Sequence, residues 1–100
     1  MQPDESIAVS ERCFTASGVV SQKPCWLYSV VLTGEAANAN NIKLYDGQDT
    51  SGDLELHIGA AQYTSTVVVF NVPKFFSRGM YIQEVAGTCT VALQWREHLR

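Results

Sequence analysis

Asn40-Asn41-Ile42-Lys43-Leu44-Tyr45-Asp46 puts Ile42 and Leu44 on one side of an extended chain and Lys43 and Tyr45 on the other. A period of two belongs to a strand with one face in a core and one in water, the mark of an antiparallel sheet. The pattern recurs downstream. In residues 53–59, Leu54, Leu56 and Ile58 alternate against Glu55, His57 and Gly59. In the last long segment Cys89, Val91, Leu93 and Trp95 oppose Thr90, Ala92, Gln94 and Arg96. Two further runs, Cys25–Leu32 and Thr66–Val72, are apolar on both faces and rich in β-branched and aromatic residues, which favours strand over helix. Their outward faces need a cover, either a second layer or another protein.

Strands over residues 13–20 and 79–86 complete the set. Turn chemistry separates them at regular intervals. Thr33–Asn40 is a small-residue loop, Asp46–Asp53 a long turn with glycines free to take positive φ, and Pro73 is expected to end a strand. Ser77-Arg78-Gly79 and Ala86-Gly87-Thr88 supply the last two turns. Only Glu35–Asn40 has room for a helical turn. Short strands at this spacing predict an all-β fold, a small antiparallel β-sandwich that is jelly-roll-like, with about seven to eight strands. Residues 1–12 carry charges of both signs without alternation and read as an N-terminal arm, ordered only where a neighbour receives it. Residues 13–100 then form one domain.

Composition narrows the class. The chain has 100 residues, 46% hydrophobic and 17% charged, enough to bury a modest core and too apolar for disorder. A net charge of −3 argues against a phosphate-neutralising surface, so no nucleic acid is expected as a partner. No run of about 18 apolar residues occurs, so no membrane span is expected. The start, Met1-Gln2-Pro3-Asp4-Glu5-Ser6, lacks the basic and apolar stretches of a secretory signal, and the expectation is a chain made in a cytoplasm. Cys13, Cys25 and Cys89 are an odd number for a disulfide framework and match no zinc spacing; they read as buried small hydrophobes in a reducing compartment.

Each candidate for chemistry has a plainer competitor. A catalytic thiol needs a neighbouring His with an orienting partner, whereas these cysteines fall in strands, where a buried thiol is inert. Asp46, Asp49 and Asp53 supply oxygens for calcium, but their spacing departs from the calcium-loop pattern, and Asp beside Gly is what a turn prefers. Asp49-Thr50-Ser51-Gly52 brushes against the aspartic-protease motif and fails at Ser51. Glu55 and Glu84 are the one pair to weigh for glycoside hydrolysis, and both read as solvated strand carboxylates. Tyr45, Tyr63 and Tyr81 could stack on a sugar ring, but tyrosine is also enriched at subunit contacts, the favoured reading here. No glycine-rich phosphate loop opens a helix. No catalytic residue, cofactor or metal is expected.

Three pieces carry a resemblance. They are Val31-Leu32-Thr33-Gly34, then Ile42-Lys43-Leu44-Tyr45-Asp46-Gly47 with Thr50-Ser51-Gly52, then Phe75-Phe76-Ser77-Arg78-Gly79-Met80-Tyr81-Ile82, closing on Gly87-Thr88-Cys89-Thr90-Val91. In these the chain resembles the small β-sandwich structural proteins of tailed bacteriophages, over about two thirds of its length. The first thirty residues and the cysteines lie outside that resemblance. It implies a non-enzymatic virion component that decorates the capsid shell or sits in the neck or tail, often as a trimer on a symmetry axis.

The expectation is therefore a capsid decoration or cement protein, located in the virion, whose partners are copies of itself, as a trimer, and the major capsid protein or other virion proteins. The rival is a tail- or fibre-associated module binding a host-surface glycan through exposed tyrosines. Interface candidates are Tyr45, Tyr63, Tyr81, Trp26, Phe75 and Phe76. Surplus apolar surface on the two double-faced runs is the physical reason, because such surface marks an interface.

Overall fold

The computed structural model describes residues 10–35, 40–86 and 89–98, the side chains of 10–13, 85, 86 and 89 excepted. They form eight strands: β1 Ser10–Phe14, β2 Gly18–Ser21, β3 Cys25–Gly34, β4 Asn40–Asp46, β5 Asp53–Ala60, β6 Ser65–Phe76, β7 Met80–Ala86 and β8 Cys89–Glu97. Two four-stranded antiparallel sheets result, one in the order β1-β8-β3-β6 and the other β2-β7-β4-β5. The pairs β1·β8, β2·β7, β3·β6 and β4·β5 are those of one long hairpin bent between β4 and β5. Its successive rungs fall in alternate sheets, and the further pairs β3·β8 and β4·β7 seal each layer. This winding is a jelly roll.

The core is the inward row of each strand. Cys25, Leu27, Val30, Leu32, Phe76, Val91, Leu93 and Trp95 come from one sheet; Val20, Ile42, Leu44, Met80 and Ile82 come from the other. The final strand has the expected register, with Val91, Leu93 and Trp95 buried; the side chain of Cys89 lies outside the described residues. Along β3 the register slips between Leu27 and Ser29 against both neighbours. That bulge at Tyr28 shifts the inward parity from Cys25 and Leu27 to Val30 and Leu32, as one extra residue in a strand must. Part of the double-faced look of this run is therefore a parity change. Trp26, Tyr28 and Val31 still sit outward, half-buried.

Four expectations need correction. The single strand over 13–20 is two strands in different sheets, broken at Thr15–Ser17, where three exposed residues carry the chain from one layer to the other. Ser10–Arg12, expected in the arm, begin β1 and pair with Trp95, Gln94 and Leu93; residues 1–9 lie outside the described residues. Pro73 does not end a strand. It lies where β6 bulges away from β3, between the pairs Ser29↔Val69 and Leu27↔Lys74, and an edge strand tolerates a residue with no N–H to donate. Leu54 does not face the core: a slip between Leu44↔Leu56 and Tyr45↔Leu54 makes Glu55 the extra residue and turns Leu54 outward. The expected helical turn falls mostly on residues 36–39, outside the described residues, and Asn40 already belongs to β4.

Candidate functional site

The outer face of the sheet built on β3 carries an aromatic group at one end. Trp26 on β3 is paired directly with Phe75 on β6, and their ring centroids are 4.5 Å apart. His98, just past β8, closes the group: its ring lies 5.9 Å from Trp26 and 5.5 Å from Phe75, edge-on to both. The indole Nε1–H donates to His98 Nδ1 at 3.2 Å, and the His98 amide donates to the Pro24 carbonyl at 2.8 Å. Beside them the Arg96 guanidinium sits 5.9 Å from the centre of the Tyr28 ring, a cation–π contact. Farther along, the face is polar and self-satisfied: Ser29 Oγ donates to Gln94 Oε1 at 2.9 Å, and the Thr33 and Ser65 hydroxyls share a bond of 2.8 Å.

The opposite sheet has its own outward row. Val19, Tyr81, Tyr45 and Leu54 stand side by side across β2, β7, β4 and β5. Tyr45 is covered by these neighbours, and its hydroxyl donates to Gln83 Oε1 at 3.0 Å. The bulge at Glu55 is what completes the row, because it brings Leu54 to this face.

Along β6, Val67, Val69 and Val72 are 60%, 68% and 79% exposed. Among the described residues this strand has a sheet neighbour only in β3. Tyr63, in the turn leading into it, is 82% exposed and holds φ at +62°, a left-handed conformation uncommon for a bulky side chain. Two bonds enforce it: the Tyr63 amide donates to the Gly34 carbonyl at 2.8 Å, and the Gly34 amide to the Thr64 carbonyl at 3.0 Å.

The six interface candidates thus separate into four places. Trp26 and Phe75 pair on one outer face, Tyr45 and Tyr81 on the other, and Tyr63 projects from a turn. Phe76 is fully buried and belongs to the core, because the β6 alternation that turns Phe75 out turns Phe76 in. The exposed valines of β6 were missed as individual residues. Their signal was present in Thr66–Val72, where alternate valines stood on both faces.

The carboxylates are committed to structure. Asp46 Oδ1 and Oδ2 accept from the amides of Arg78 and Ser77 at 2.8 and 3.2 Å, and Oδ2 also accepts from the Ser77 hydroxyl at 3.0 Å. Asp53 pairs with Arg78 Nη2 at 3.0 Å. Asp49 accepts from the amide and hydroxyl of Ser51, which hold its carboxyl below the usual value. Each aspartate therefore serves the turn, and among the described residues no three His, Cys, Asp or Glu side chains converge as a metal site. Glu55 pairs with Lys74 at 3.0 Å, and Glu84 stands on β7 with β4 between them. Cys25 is buried, and burial pushes its thiol from 9.0 up to about 12, so the nucleophilic thiolate is suppressed. The side chains of Cys13 and Cys89 lie outside the described residues.

No protein-family model matches the chain, and no curated protein does.

Proposed function

We propose that this chain is a non-enzymatic structural subunit of a tailed-phage virion, a capsid decoration or cement protein that associates with copies of itself and binds the shell. One observation carries the reading: both outer faces of a two-layer sandwich hold apolar side chains. A lone sandwich needs only its inner faces oily. Here Trp26, Phe75, Val67 and Val69 face outward from one sheet, and Val19, Tyr81 and Leu54 from the other. At about 25 cal/mol per Å² of apolar surface, covering them on a neighbour is favourable. The resemblance in the turns around Asp46-Gly47 and Ser77-Arg78-Gly79 supplies the class of neighbour.

The test is co-sedimentation of the purified chain with emptied capsids of the phage that encodes it. Saturable binding to shells supports decoration; migration with isolated tails and not with shells defeats it. A glycan-binding tail module is the second reading, favoured by the exposure of Tyr63 alone, since Tyr45 is covered and its hydroxyl already engaged. Retention on a glycan array that is lost in Tyr63→Ala would replace the first reading with the second.

A further inference from the structure

An unpaired strand edge offers a row of backbone N–H and C=O groups, which another extended strand satisfies. Natural edges are blunted by lysine, proline or bulges. On β6 those devices are confined to the second half: the bulge between Val69 and Lys74, Pro73 within it, and Lys74, which is tied to Glu55. The first half, Ser65–Val69, has none of them and pairs regularly with Thr33–Ser29 of β3. Residues 59–73 contain no charged side chain.

We propose that Ser65–Val69 of β6 is where two copies of this chain meet, pairing antiparallel about a two-fold axis through Val68. The occupant is a second copy for three reasons. First, the segment is self-complementary in that register. Val67 of each copy falls opposite Val69 of the other on the outer face, a β-branched cross-strand pair made twice. Second, the antiparallel sense sets the turn that projects Tyr63 at the end of the contact where the bulge of the other copy lies. An uncharged edge meeting its own copy also strands no charge in the contact. Third, the dimensions fit a reversible pair. In that register the two strands overlap over residues 65–71, about 23 Å at 3.3 Å per residue, and the smallest extent of the molecule is 20 Å, giving roughly 460 Å² per partner, at the low end of specific interfaces.

This deepens the self-association in the reading above and does not depend on the shell. A two-fold contact makes pairs, where the resemblance implies trimers, so the number of chains decides. Mass measurement in solution should return twice the 11.0 kDa of one chain. Val69→Lys and Val67→Glu each alter an exposed side chain and should each give a folded single chain. Mixing the two variants should restore the pair, because only this register sets the new lysine against the new glutamate and leaves the other Val–Val contact whole.

A single-chain mass for the wild type at high micromolar concentration, a three-chain mass, or pairing that survives both substitutions overturns the contact. Failure of the mixed variants to pair overturns the register. Should a variant not fold, amide exchange on the wild type still decides. Ser65–Val69 should lose protection on dilution while Thr90–Gln94, in the interior of the sheet, keep it; equal protection at all concentrations sinks the proposal. Pairing without binding to capsids would defeat the shell reading alone.

Discussion

Trp95 and Cys25 show how much a single inward position decides. Trp95 is buried at the end of β8, where its ring lies 6.3 Å from that of Phe14 and so ties the first described strand to the last. Replacing it with Ala removes a large core side chain and leaves a cavity, so Trp95→Ala should cost roughly 3–5 kcal/mol in denaturant unfolding. An unchanged midpoint would place Trp95 outside the core. Cys25 makes a prediction in pH. Above pH 9.0 the unfolded thiol sheds its proton while the folded one, held up to about 12 by burial, keeps it, so folding takes up a proton and rising pH opposes it. This part of the stability is intact below pH 9.0 and declines toward 12. Cys25→Val should therefore lose less stability than the wild type between pH 9 and 11, with the gap read from unfolding midpoints at each pH. Trp95 was legible from alternation alone, since a period of two dictates the inward row of its strand; Cys25 lies in a run apolar on both faces, so its burial was legible only from its residue type. Tyr45 was half legible: its outward side follows from the period, but its burial follows from Tyr81 and Leu54 on strands that local sequence cannot bring alongside.

Strands were easier to read than their ends. β4 and β8 match their expected spans closely because each keeps one parity throughout the expected segment. The division of 13–20 into β1 and β2 was not readable, because both halves are extended and only the run Thr15-Ala16-Ser17, lacking glycine or proline, separates them. The slips of register, at Tyr28, at Glu55, before Lys74, between Val19 and Ser21 of β2, and between Glu84 and Ala86 of β7, were equally hidden, since a slip of register is a relation between two strands. Truncation tests the corrected boundary. Deleting residues 1–12 removes Ser10–Arg12 and their pairing with Leu93–Trp95, whereas deleting 1–9 leaves that pairing whole; the longer deletion should lower Tm by several degrees more. Equal values would return Ser10–Arg12 to the arm. The β6–β7 turn makes a second test. Gly79 has φ at +113°, and a Cβ there would lie 2.5 Å from the Ser21 carbonyl oxygen. Gly79→Ala should destabilise by about 1–3 kcal/mol or more, with no compensating gain from reduced chain entropy.

At the scale of the molecule, the pairing order sets both the shape and the way it must form. Nesting β1 on β8, β2 on β7, β3 on β6 and β4 on β5 makes the contacts progressively less local outward from the β4–β5 turn. Sequence could announce a jelly-roll-like sandwich, because alternation and turn spacing are local, but it could not announce the individual pairings, which exist only in which distant strands meet. Closing a longer loop costs more entropy before any contact rewards it, so non-local sandwiches fold in milliseconds to seconds. The β4–β5 hairpin, closed by residues 47–52 and pinned by Asp46 to Ser77 and Arg78, is the least costly place to begin. Two buried leucines separate the alternatives. Leu44 lies in that hairpin and Leu93 on β8, between the first strand and β3. Leu44→Ala should slow refolding in stopped-flow measurements with a φ-value above one half, while Leu93→Ala should act mainly by speeding unfolding, with a φ-value near zero. The reverse ranking would mean that the chain ends meet first and that the hairpin is built onto an already closed sheet.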